Sequence, residues 1–227
     1  MKGRLMLELA RADLRNTLRD PMLQVTLVVP FLVFGLLRFA MPELTRALEQ
    51  HYGFSLVPYY PLIISVAMLL IPLMAGMVMA FIMLDELDDR VFSSLAVLIS
   101  TVLVLPLLMF NNLVQASLVP SLAASLVSSL IAPIAALYIS GYAENKITGL
   151  TLSKASGILM VLPVLYHMVE GSWISLVLVV PTVPSALMVQ ALLEGRTQWK
   201  FLLVISLLHQ VVLMLLALRY FSRKRRP

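Results

Sequence analysis

The densest set of reactive groups in this sequence is Asp85-Glu86-Leu87-Asp88-Asp89-Arg90, followed directly by Val91-Phe92-Ser93-Ser94-Leu95. Two uses fit such a run. Charges at one end, with Val91, Phe92 and Leu95 as apolar anchors, suit a short helix docking into a groove on a soluble partner. The same acids would equally well cap the start of a helical turn in water. As metal ligands the carboxylates have no fixed spacing, so no metal site is assigned. A second polar stretch, Ala143 to Leu150, carries Glu144, Asn145 and Lys146 and is followed by Ser153-Lys154. Its Asn and Gly are ordinary turn residues, and composition alone reads it as a connector.

The remaining polar groups are scattered through apolar surroundings. Asn111 and Asn112 need partners if they lie in hydrocarbon, either across a helix interface or along a transport pathway. His167 and Glu170 are spaced by about one helical turn and could hold a proton or a cation, or simply lie at an interface. His209 and Gln210 read as a helix-contact pair. Met68, Met74, Met77, Met79 and Met83 crowd one apolar stretch, where flexible thioethers suit either varied apolar cargo or lipid.

Several chemistries are excluded. With no Cys there is no disulfide framework, thiolate metal site or cysteine nucleophile. An intramembrane protease would need a Ser/His dyad or paired aspartates buried together, and neither a GxSxG setting nor clustered His is present. No GxxxxGK[ST] run occurs among the nine glycines, so the chain has no phosphate loop of its own. No catalytic residue is assigned.

The elements that must position these residues are membrane helices. Of 227 residues 60% are apolar and only 13% charged, against about 25% charged in ordinary globular chains. Because a span needs about 20 residues with few charges, the uncharged stretches predict six transmembrane helices, over 21–41, 59–84, 98–119, 122–142, 155–170 and 201–220. Residues 1–20 form an interfacial helix, with Arg4, Glu8, Arg11, Arg15 and Arg19 along one stripe beside Leu7, Ala10, Leu14 and Leu18. Its long, mixed-charge basic region argues against a signal peptide. Basic residues before the first span and after the last place both ends in the cytoplasm, so the number of crossings is even. The stretch 171–193, broken at Pro181 and Pro184, is then an outer re-entrant segment. The fold class is an all-α membrane protein, one domain over 1–227. Gly35, Gly76, Gly157 and the Ser125, Ser128, Ser129 group would let helices approach closely.

The order of these parts resembles the ABC-2 type permeases, and is most similar to the fluoroquinolone or drug export permeases. The resemblance rests chiefly on Glu144-Asn145-Lys146-Ile147-Thr148-Gly149-Leu150 with Ser153-Lys154, and more loosely on the acidic run leading to Arg90-Val91. It departs at Leu98 to Leu108, which lacks the Pro-Leu-Ser and Tyr/Arg-containing turn usual there. The resemblance implies a transport subunit, not an enzyme, in a bacterial inner membrane, driven by a separate cytoplasmic ABC ATPase chain that binds ATP and Mg. It places ATPase coupling on the segment with Asp85, Glu86, Asp88, Asp89, Arg90, Val91 and Phe92, with a second contact at Glu144, Asn145 and Lys146. A second copy of the chain would help enclose the pathway, for which Asn111, Asn112, Met77 and His167 are the candidates. Membrane lipids are the other expected partner, and nucleic acid is not. A secondary transporter remains the rival reading, although ionisable groups at mid-membrane depth are nearly absent. A non-transporting assembly subunit is the other alternative.

Overall fold

The computed structural model describes residues 28–29, 31–85, 113, 117–169 and 171–224. Among these, every regular element is helical and no strand occurs. A helix through residues 31–35 passes a π-helical turn at Leu36–Ala40 and continues as α1, Met41–Tyr52. The long elements are α2 (Tyr60–Asp85), α3 (Leu118–Ser129), α4 (Ile131–Tyr142), α5 (Lys146–Ile158), α6 (Leu162–Met168), α7 (Thr182–Leu193) and α8 (Trp199–Lys224). A 3-10 turn, Val57–Tyr59, precedes α2, and a longer 3-10 stretch, Ser172–Val179, precedes α7.

Among the described residues, four helical stretches are long and apolar enough to cross a membrane: Val57–Leu84, Leu118–Tyr142, Ile147–Met168 and Trp199–Phe221. Of the other two expected spans, 98–119 lies almost wholly outside the described residues. Of 21–41, residues 28–29 and 31–41 are described, and the helix there does not stop but runs on to Tyr52. It ends where Gly53 takes a left-handed conformation (φ 66°) and returns its N–H to the Glu49 carbonyl at 3.1 Å. A residue with a Cβ would be strained there.

Prolines set the internal breaks. Pro133 has no N–H for the Ser129 carbonyl, and the chain between α3 and α4 closes instead with a tighter Leu130 N–H bond to the Val127 carbonyl, 3.2 Å. Pro163 likewise leaves the Leu159 carbonyl without its i+4 donor, and α5 and α6 are separated by a turn at residues 159–161. Pro181 precedes α7 as expected, but Pro184 does not break it. It occupies the first helical turn, where N–H groups have no intrahelical acceptor in any case. Pro120 is accommodated in the first turn of α3 for the same reason.

The core is built around α2, which is apolar on all sides, with Ile64, Met68, Leu69 and Ile71 essentially sealed from solvent. It lies against α4 and α7. Of the three glycines read as helix contacts, only Gly76 is one: a Cβ there would lie 2.9 Å from the Ala135 Cβ and closer still to the Ala132 carbonyl oxygen. Gly35 and Gly157 have nothing within 4 Å of that position. The twelve-residue α7, too short to cross a membrane, is buried along nearly its whole length between α2 and α8. By contrast α8 leaves Leu208, Val212, Leu215 and Leu216 more than half exposed, an apolar face suited to lipid rather than water.

Candidate functional site

Two places in the bundle gather candidate residues. The first is where α2 ends and α5 begins. Asn145 caps α5: its side-chain oxygen accepts from the Thr148 N–H at 2.9 Å and from the Thr148 hydroxyl at 3.2 Å. This supplies one of the acceptors that a helix start otherwise lacks. The connector read from composition is therefore only Ala143 to Asn145, and the rest of that polar segment is helix. Gly149 is pressed against α2, where a Cβ would stand 3.1 Å from the Phe81 ring and 3.2 Å from Leu84 Cδ1. The capped start of α5 and the end of α2 that carries Asp85 are thus neighbours. Glu144 is exposed, as is Ile147, at 80% a large apolar side chain left open beside it. Residues 86–92, which include Glu86, Asp88, Asp89, Arg90, Val91 and Phe92, lie outside the described residues, as do Asn111, Asn112 and Glu170.

The second place is a half-open cavity of about 550 Å³ bordered by α2, α4, α5, α7 and α8. Its walls are Leu73, Ile131, Leu137, Ala155, Leu213, Leu216 and similar side chains, with no charged residue among them. One end carries Tyr138, Tyr142 and Tyr220. The Tyr142 and Tyr220 rings stack with centroids 4.6 Å apart and 10° between planes, and Tyr138 leans on Tyr142 at 5.0 Å. Such faces favour flat or cationic apolar groups. The other end is bordered by Pro181 and Thr182 at the start of α7.

The start of α7 is held by hydrogen bonds. The Thr182 hydroxyl donates to the Leu159 carbonyl at 2.8 Å, the carbonyl left open by Pro163. One turn along α7, the Ser185 hydroxyl donates to the Pro181 carbonyl at 2.8 Å. Its single proton being used there, Ser185 accepts from the Ser206 hydroxyl (2.7 Å) and from Gln210 Nε2 (2.7 Å), which also reaches Ser206 at 3.3 Å. The Gln210 amide thus joins Ser185 and Ser206 in one buried polar group between α7 and α8. Gln210 is 0% exposed and, among the described residues, Oε1 has no partner. A buried acceptor left unpaired costs about 1–3 kcal/mol. The hydroxyls of Ser121, Ser125 and Ser128 on α3 are also buried and unpartnered.

The sequence-predicted pathway residues lie elsewhere. Met77 sits half-buried against the two apolar clusters that α2 shares with α4, and Met68, Met79 and Met83 are buried core residues. His167 accepts or shares a 3.4 Å contact from Gln190 Nε2, which also donates to Glu194 at 3.0 Å, and Glu194 pairs with Arg196. Gln210 is a helix-contact residue, as read, but its partners Ser185 and Ser206 were not singled out by any spacing rule. Among the described residues no three His, Asp or Glu side chains converge as a metal site would require.

The described residues form a multi-pass helical bundle with an apolar cavity between its helices, and the family to which the sequence belongs is one of membrane permeases. Residues 13–98 and 93–218 match the family described as Fluoroquinolones export permease protein Rv2686c-like, and the chain belongs to that family. Two curated relatives, the fluoroquinolones export permease proteins of Mycobacterium tuberculosis strains CDC 1551 / Oshkosh and ATCC 25618 / H37Rv, are each 38% identical to it over 88 residues. That stretch is 38% of this chain and 35% of each relative's length. No solved structure matches.

Proposed function

We propose that this chain is the membrane-spanning subunit of an ATP-driven ABC exporter in a bacterial inner membrane, moving an apolar or amphipathic, drug-like cargo. The observation that carries the reading is the uncharged cavity of about 550 Å³, a volume within the range of small-molecule sites. Lacking a phosphate loop, the chain takes its energy from a separate cytoplasmic ATPase that binds ATP and Mg. Coupling runs through the segment from Asp85 to Phe92 and through Glu144, Asn145 and Lys146. The contact of Gly149 with Phe81 and Leu84 supports this, because a push on either segment reaches the other.

The proposal includes six spans in one domain, with both termini in the cytoplasm and the helix over residues 1–20 lying on the inner surface. It also includes an outer re-entrant segment over 171–193. Two contacts favour that segment: α7 begins beside Leu159, midway along the stretch Ile147–Met168, and Gln190 near its other end meets His167 close to that stretch's end. The cavity then occupies the inner half of the bundle, beneath the re-entrant tip. A second copy of the chain completes the transporter, with lipid on the remaining apolar surface.

The test is reconstitution in vesicles with the ATPase encoded beside it. ATP-dependent efflux of a lipophilic fluorescent probe is expected, and neutralising Asp85, Glu86, Asp88 and Asp89 together should lower ATP turnover stimulated by the membrane subunit. Efflux by this chain alone, driven by a proton gradient, would replace the reading with a secondary transporter.

A further inference from the structure

The cavity is open on one side, and its rim is made of lining residues that are also exposed. These are Tyr138 and Tyr142 on α4, Ala155 on α5, and Leu216 and Tyr220 on α8. Leu216 belongs at the same time to the exposed apolar face of α8, with Leu208, Val212 and Leu215, so the mouth is continuous with a surface suited to hydrocarbon. Tyrosines, with an apolar ring and a polar tip, suit the level where lipid chains meet headgroups. Beside this mouth stands a cation. Lys154 directly precedes Ala155, is exposed, and is the only Asp, Glu, Lys or Arg in the span Ile147–Met168. Among the described residues it makes no hydrogen bond or ion pair. Its helical neighbours three and four positions away, Leu150, Thr151, Gly157 and Ile158, carry no carboxylate. With the start of α5 at the inner surface, Lys154 lies about 12 Å along the helix from Lys146. At that depth headgroups give way to chains, and an ammonium without an anion is costly.

We propose that this mouth is a binding site for an anionic phospholipid of the inner leaflet, with one acyl chain in the cavity and the headgroup phosphate paired with Lys154. This rests on the reading that α5 starts at the inner surface. A soluble anion would satisfy Lys154 and leave the apolar lining unfilled. A neutral hydrocarbon would fill the lining and leave Lys154 unpaired. A lipid with a net negative headgroup serves both, and the continuity of the mouth with the face of α8 gives it a way in without crossing water. Cargo that uses the same cavity then has to displace that chain, and reaches the cavity from the membrane.

The test uses the full chain in dodecyl maltoside micelles, with binding of tritiated lipid read by scintillation proximity. The two probes are dioleoylphosphatidylglycerol and dioleoylphosphatidylcholine, which have the same chains and differ in headgroup charge. The wild type is expected to bind the anionic lipid about fivefold more tightly, the worth of one lysine near a charged headgroup. Lys154→Gln should bring the two affinities to within about twofold by weakening the anionic lipid, and Lys154→Arg should keep the preference. Lys200→Gln, at the other end of the bundle near the start of α8, should leave it unchanged. Ala155→Trp and Leu216→Trp, both at the exposed rim, should each weaken both lipids by about fivefold or more by excluding the chain, and either serves if the other does not fold. Equal affinities in the wild type, a preference that survives Lys154→Gln, or undiminished binding in the tryptophan variants would overturn the site. Neither ATP nor the ATPase enters this assay, so lipid binding can fail while ATP-dependent efflux stands, and efflux can fail while the lipid site stands.

Discussion

The two sides of α2 are built differently. Toward α4 the contact is dry and close, with Gly76 set against Ala132 and Ala135 and with Met79, Ala80, Met83, Ala136 and Ile139 closing the seam. Toward α7 it is packed as well, Ile64, Met68 and Ile71 meeting Met188, Val189 and Leu192, but around Leu73 the break at Pro163 and the start of α7 border an apolar cavity whose neighbouring helices are tied by hydroxyl and amide groups. Apolar interlocking is hard to alter by degrees, because close-packed side chains have no intermediate arrangement. A few hydrogen bonds around a void can be exchanged one at a time. The first side is a wall and the second has the means to move.

This contrast can be broken at several points. The largest effect is expected at Gly76→Leu, where even the first added carbon overlaps α4. Overpacking of this kind costs about 1–3 kcal/mol or more, and loss of folded protein on gel filtration or a lowered melting temperature in detergent would register it. Thr182→Val is expected to cost about 1 kcal/mol by leaving the Leu159 carbonyl unpaired. Pro163→Ala gives that carbonyl a backbone donor, so in its presence the Thr182→Val loss should shrink by at least about half, a coupling that a double-mutant cycle in thermal unfolding would detect. Asn145→Ala should cost about 0.5–2 kcal/mol as a lost cap. Because α5 begins against α2, the same variant should also lower ATP turnover with the partner ATPase. Smallest of all, Arg46→Ala removes an exposed pair with Glu43 at 2.8 Å and should shift stability by less than about 1 kcal/mol. A larger change there would mean that α1 bears on the wall.

Much of the wall was legible in the sequence, and little of the other side. A long uncharged run identifies a span whatever it touches, so α2 and α8 could be placed within a few residues. Proline chemistry gave the turn before α7, but Pro184 was misread as a second break because spacing does not say which helical turn a proline occupies. The segment from Lys146 to Leu150 looked like a loop because Asn145 and Gly149 are turn formers. In the fold, one is a cap and the other makes room for Phe81 and Leu84. The cavity was invisible, since Leu73, Ile131, Leu213 and their neighbours are the same residue types that fill a core. Only their positions in five separate elements leave space between them. Ser185 and Ser206 gave no signal for a related reason: small residues are general in membrane bundles, and a bond across 21 positions has no local pattern.

Pro163 has one more effect. By withholding a single N–H it makes the Leu159 carbonyl available to Thr182, so a chain interruption in one helix becomes the mooring point of another. A link of about 1 kcal/mol shifts an equilibrium by roughly fivefold. The tip of α7 is therefore restrained there by an amount that thermal energy, or a modest pull from α5, is able to overcome. A continuous helix through residue 163 would have offered that tip nothing to tie up to, and nothing to cast off from.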